Sequence, residues 1–143
     1  MPRSPSGLST EREAVSVVRA EEHARGWIPA PNLSKSEEAR HGCDFFSQPP
    51  DGGTPHPVEV KGWGEPLKRP DGAFTYDADV NAEQLARASR DPNWRLEIVA
   101  NLTAARSGAG DIQRLTLTAA EVVRRARPWR YKVPLSGLSD RIR

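Results

Sequence analysis

Three ionisable residues stand in two short β-rich runs that should otherwise be core. Asp44 lies in Gly42-Cys43-Asp44-Phe45-Phe46, and Glu59 and Lys61 alternate with Val58 and Val60. Side chains alternate across a strand, so Glu59 and Lys61 leave one face about 7 Å apart while the valines leave the other. The segment between the runs, Gln48 to His56, is rich in Pro and Gly. It predicts an antiparallel hairpin over 42–47 and 57–63, with Asp44 and Glu59 converging near one end. Converging carboxylates repel, and an unpaired buried charge is costly. A hard divalent cation such as Mg²⁺ relieves that cost. It would also acidify a bound water and steady a phosphate oxygen, with Lys61 close enough to hold either. The same alternation makes an ordinary surface ion pair on a half-exposed strand, and spacing alone leaves both open.

The elements that must position these residues are short. Thr10 followed by Glu13 reads as a capping box, opening a helix that turns Ala14, Val17 and Val18 inward and ends at Gly26. Glu13, four residues before Val17, falls on the face toward the sheet and is a candidate third acid as well as a capping residue. Residues 29–41 show no clean period and read as a loop with at most one helical turn. A third strand is expected at Phe74–Tyr76. A helix capped by Asp79 or Asn81 then runs to Arg90, with Gln84 either near a phosphate or simply exposed. Residues 94–102 alternate as a strand, 103–110 form a turn, and Ile112 to Leu117 form another strand. Thr118 with Glu121 opens a last helix, followed by a closing strand or extended tail over Trp129 to Leu135. Helix, strand, strand, strand, helix, strand is a mixed sheet with helices against it, an α/β or α+β arrangement.

A length of 143 residues fits one domain, and a hydrophobic share of 36% implies a small core. The expected organisation is a disordered stretch at 1–9, a single domain over 10–133 and a basic tail at 134–143. One cysteine excludes an internal disulfide, and three scattered histidines do not make a structural zinc site. No apolar run approaches the roughly 18 residues needed to span a bilayer. The opening residues lack the apolar middle of a secretory signal, so a cytoplasmic protein with no membrane partner is expected. Net charge is only +2, yet from Ala119 onward seven basic residues face two acids. Arg124, Arg125, Arg127 and Arg130 are the part of that excess that would meet phosphate, unless they form a solvated basic end.

Gly42-Cys43-Asp44-Phe45 with Val58-Glu59-Val60-Lys61-Gly62 resembles the PD-(D/E)xK phosphodiesterase signature. More narrowly it resembles the family named after the C-terminal domain of the plant protein NO VEIN. Glu13-Ala14-Val15, Asn81 with Glu83 and Ala86, and the strand ending at Asn101 fit the same pattern. The resemblance spans about residues 11–133. It implies a restriction-endonuclease-like fold with core order α-β-β-β-α-β. It also implies a Mg²⁺ or Mn²⁺ site on Asp44, Glu59 and the carbonyl of Val60, with Lys61 as catalytic partner and Glu13 completing the site. DNA is the implied substrate, gripped through the arginines, and so small a nuclease would work as a homodimer or with a partner protein. The alternative is a silent nucleic-acid-binding or protein-interaction module of the same fold.

Overall fold

The computed structural model describes residues 5–127 and 132–143. Among these residues, five strands form one mixed sheet in the spatial order β1 (Ile28–Pro29), β2 (Phe45–Gln48), β3 (His56–Gly62), β5 (Arg95–Ala100), β6 (Gln113–Thr118). A separate ribbon pairs β4 (Ala78–Asp79) with β7 (Lys132–Val133). The turn-rich tip does make β2 and β3 an antiparallel hairpin, with Phe45 opposite Val58. The chain then crosses through α3 (Ala82–Arg90) to β5, which runs parallel to β3 with Lys61 beside Ile98. Strand β6 returns antiparallel to β5.

Alternation divides the sheet into two faces. On one, α1 (Pro5–Ala24) sets Ala14 and Val18 against Phe45, Val58, Val60 and Val99. On the other, Leu96, Ile98, Leu115 and Leu117 pack with Trp94, Ala88 of α3 and Val122 of α5 (Ala119–Arg125). The mixed sheet flanked by helices is therefore as expected, but several elements differ. Helix α1 begins at Pro5, so Thr10 lies inside it and not at its cap. Residues 35–41 form a helix, α2 (Lys35–His41), because Ser34 and Glu37 make a full capping box and Gly42 ends it in the left-handed conformation. A further helix, α4 (Leu102–Ser107), replaces part of the expected 103–110 turn. The third strand is not at Phe74–Tyr76, where Phe74 makes one isolated bridge to Lys68. Residues 65–73 are polar and turn-rich and fold into a small loop of their own. The strand that precedes the hairpin is β1, and the observed order is α1, β1, α2, β2, β3, β4, α3, β5, so α2 and the two-residue β4 interrupt the expected α, β, β, β, α, β succession.

The α1 face is apolar in one part, around Ala14 and Val18, and not in the other. Toward the end of α1 it becomes ionic: buried Glu22 binds Arg95 at 2.7 Å and Arg25 at 2.6 Å, and its other oxygen accepts from Ser47 at 2.9 Å. Glu97 accepts from Arg95, Arg114 and Thr116. Removing one partner from such a buried set strands a charge in the interior.

The final residues pack and do not trail as a tail. Leu135 and Leu138 are buried, and the backbone of Arg143 pairs with that of Arg114 along the β6 edge. Arg141 donates through both terminal nitrogens to Glu121, one bond measuring 3.1 Å, and these bonds hold the Glu121 carboxyl down at about 2. A carboxyl depressed on folding adds stability above its unfolded pKa, and that stability is lost as pH falls toward the folded value. Arg141→Ala should therefore be less stable than wild type at pH 7 by about 1 kcal/mol, since solvent screens a pair this close to the surface. In denaturant titrations across pH, the difference should close between pH 5 and about 2.

Candidate functional site

The β2–β3 ladder ends with Phe45 opposite Val58, and the Asp44 N–H also bonds Val58 O, which brings Asp44 in beside the end of β3 and its charge within reach of the Glu59 carboxyl. Bonded to Val58 and to Val60, Asp44 flanks Glu59 on both sides along the strand, so the hairpin brings the two acids together. Four local constraints fix Asp44. Its N–H donates to Val58 O at 2.9 Å, and its carbonyl accepts from Leu33 at 3.0 Å. Cys43 before it is buried in the core, and the Gly42 carbonyl accepts from the Trp94 indole at 2.8 Å. Gly42 is required twice over. Its φ is +66°, and a Cβ there would lie 2.5 Å from the Glu83 carbonyl of α3. Gly62, at the other end of the motif, is required by contact: a Cβ would lie 2.9 Å from the Thr10 carbonyl of α1.

Asp44 Oδ2 accepts the Val60 N–H at 2.7 Å. A strand residue sends its N–H and C=O toward the same edge, so the Val60 carbonyl leaves β3 on the Asp44 side as well. Glu59 is 4% exposed and its Oε2 lies 3.2 Å from Lys61 Nζ. Lys61 Nζ also reaches Gln84 Oε1 at 3.3 Å, and that oxygen accepts the Asn81 N–H at the start of α3. Gln84 is thus a buried member of the cluster, held by the same capping box that starts its helix. The phenol of Tyr76, stacked on Trp63 at 4.8 Å, lies within electrostatic reach of Glu59.

Burial dominates the electrostatics. It pushes the Asp44 carboxyl up to about 6, against the pull of the Val60 amide. It pushes Glu59 up to about 8, aided by the Asp44 charge and opposed by Lys61. Glu38 of α2 adds further negative potential at both acids. Two carboxylates in this setting resist carrying two charges, the condition that a hard cation relieves. The donor set of two carboxylate groups and one adjacent carbonyl, all oxygen, fits Mg²⁺ or Mn²⁺ with waters completing the shell. Among the described residues, no group of three or more His, Cys, Asp and Glu side chains gathers as a metal site.

Of the sequence candidates, Asp44, Glu59, Val60 and Lys61 come together. Glu13 does not join them: α1 packs on the opposite face of β3, and Glu13 is paired with Arg106 of α4 at 2.7 Å. Arg124 and Arg127 are exposed at the end of α5, which packs on α3. Arg125 is drawn inward to the carbonyls of Pro134 and Ser136. Arg130 lies outside the described residues. Glu38 was legible only through the Ser34–Glu37 capping box that makes α2 a helix, whereas Gln84, read from the sequence as near a phosphate or simply exposed, is not exposed but buried against Lys61. Among the described residues, no helix is long and apolar enough to cross a membrane. Comparison with protein families, characterised proteins and solved structures finds no match to this chain.

Two measurements test the positioning argument. Gly42→Ala should lose more stability than the ~1–2 kcal/mol of left-handed strain alone, because the α3 backbone must also move. Glu59→Gln should unfold at the same or higher denaturant concentration than wild type at pH 7 in metal-free buffer, since a carboxyl pushed up to about 8 is already largely protonated there and the amide removes its residual repulsion with Asp44. A marked fall would make Glu59 a structural ion pair.

Proposed function

We propose that this chain is a divalent-metal-dependent nuclease that hydrolyses DNA phosphodiester bonds on a restriction-endonuclease-like fold. The observation that carries the reading is the meeting of Asp44, Glu59 and Lys61 on one face of a hairpin, with Lys61 Nζ 3.2 Å from Glu59. The succession of α1, β1, β2, β3, α3 and β5, with α2 and the short β4 inserted, supports the fold assignment.

Asp44, Glu59 and the Val60 carbonyl would hold Mg²⁺ or Mn²⁺, which when bound supplies an acidified water and offsets phosphate charge. The chain's own residues do the rest. Lys61, fixed between Glu59 and Gln84, presents N–H donors to the attacking water or to a phosphate oxygen. Gln84 orients the lysine through Oε1 and is itself locked by Asn81. Arg124 and Arg127 offer exposed charge to the phosphate backbone, giving salt-sensitive binding. A chain of 143 residues leaves little surface for specificity beside the site, which favours a second copy or partner protein sharing the DNA, in a cytoplasmic setting.

A silent module of the same fold is the second reading, favoured by the Glu59–Lys61 pair itself, which already supplies Glu59 with a cation. Incubation with plasmid, single-stranded DNA and RNA, in Mg²⁺, Mn²⁺ or EDTA, separates the two. The nuclease reading expects metal-dependent cleavage of DNA that Lys61→Ala slows about 10²-fold or more, with DNA affinity retained. Binding without cleavage, identical in the variant, identifies the module, and cleavage that persists in EDTA sinks the metal assignment.

A further inference from the structure

A cavity of about 470 Å³ opens on the α1 face, between the end of α1, Trp27 and the far end of the sheet. It is not the carboxylate site. His56 in its wall and Lys61 are the first and sixth residues of β3, so about 17 Å separates them along the strand. Helix α1 also covers the face opposite Lys61.

The hydrogen-bonding ledger of the cavity indicates what it can hold. Its buried acids are occupied: one oxygen of Glu22 accepts from Arg25 and from both terminal nitrogens of Arg95, the other from Ser47. Glu97 accepts from Arg95, Arg114 and Thr116. The spare capacity is in donors, because each guanidinium carries five N–H groups. Arg25 is 51% exposed and gives Nη2 to Glu22. Arg143 is exposed and gives Nη2 to the Thr116 hydroxyl at 3.1 Å. The buried Arg95 Nε–H has no partner, a rare condition that costs free energy in an apolar setting. A ligand suited to these groups must bring acceptor oxygens and negative charge. Trp27, with guanidinium carbons of Arg25 and Arg95 at 5.0 and 5.2 Å from its ring and the His56 ring edge-on at 4.9 Å, adds an aromatic and apolar wall. Bare phosphate would leave that wall unused, and the volume is that of a small-molecule site.

We infer that this cavity binds an organic phosphate of nucleoside-monophosphate size, the phosphate on Arg25 and Arg143 and the organic part against Trp27 and His56. Such a group comes either as a free mononucleotide or as the phosphorylated 5′ end of a nucleic-acid strand. The inference stands apart from the nuclease reading, since it uses none of Asp44, Glu59 or Lys61.

The test is calorimetric titration of the full chain with inorganic phosphate, ribose 5-phosphate, the four nucleoside monophosphates, and a short oligonucleotide with and without a 5′-phosphate. A mononucleotide should bind more tightly than inorganic phosphate. The double variant Arg25→Gln/Arg143→Gln should weaken binding about tenfold or more, as loss of charge-assisted contacts does. Trp27→Leu should weaken nucleotides and spare inorganic phosphate. Lys61→Ala should leave binding unchanged, which keeps failure here distinct from failure of the nuclease reading. Should the double variant unfold, Arg143→Gln alone carries the same expectation at reduced size. Preference for the 5′-phosphorylated over the unphosphorylated oligonucleotide, lost in Arg25→Gln/Arg143→Gln, identifies a strand end as the source. Equal binding of phosphate and nucleotides, equal binding by the double variant, or no binding of any phosphate at millimolar concentration overturns the inference.

Discussion

A carboxylate buried where a neighbouring strand places leucine is the constraint that organises this molecule. In the parallel register Glu59 lies beside Leu96 and Lys61 beside Ile98, residues at the centre of the larger apolar cluster. A core of this size has little to offset an unpaired charge, so burial pushes the Glu59 carboxyl up to about 8 and Lys61 reaches back to it at 3.2 Å. Lys61 in turn is held by Gln84, and Gln84 by the first turn of α3. The position of α3 on the sheet is therefore tied to the polar cluster as well as to Ala88 and its apolar neighbours.

Two glycines and a tryptophan translate that need into backbone placement. Gly42 lets α2 end directly against the α3 backbone, which delivers Asp44 to the mouth of the hairpin. Trp94, at the entry to β5, reaches across to the Gly42 carbonyl, so the strand that follows α3 also clamps the residue pair that precedes β2. Gly62 allows α1 to lie close on the other face at the end of β3. Each contact joins elements far apart in sequence, and each is made by a residue whose size or φ leaves few substitutes.

Much of this was legible in the chain. The Pro/Gly tip, the alternation of Val58 to Lys61 and the spacing to Asp44 define the hairpin because turn chemistry and period-two patterning are local signals. The Thr118–Glu121 cap and the strand at Arg95–Ala100 were legible for the same reason. The misses are tertiary. Ile28–Pro29 is too short for any periodicity and becomes a strand only by pairing with Ser47 and Gln48. Phe74–Tyr76 has strand-like residues but turns its aromatics onto Trp63 and the core beneath. Glu13 reads as inward-facing by period, yet α1 faces the side of the sheet away from the carboxylates and an arginine from α4 claims it. The arginine–glutamate network was hidden for a related reason: Glu22, Arg95, Glu97 and Arg114 read one at a time as solvated charges, and only the α1–sheet packing buries them together.

Both polar centres depend on one pairing, that of β3 with β5. Val58 stands opposite Arg95, Val60 opposite Glu97 and Lys61 opposite Ile98. A shift of one residue would exchange the faces of a strand, moving Glu59 and Lys61 under α1 and Val58 and Val60 toward α3. It would equally carry Arg95 and Glu97 away from Glu22. The apolar residues between them, Val58, Val60 and Val99 on one face and Leu96 and Ile98 on the other, make such a slip costly because each would face the wrong layer. The charged residues sharpen the same choice, since a slipped register would leave carboxylates and guanidiniums buried without partners. In this chain the polar residues therefore add to register specificity as well as to chemistry, and the scarcity of large hydrophobic residues makes that contribution necessary.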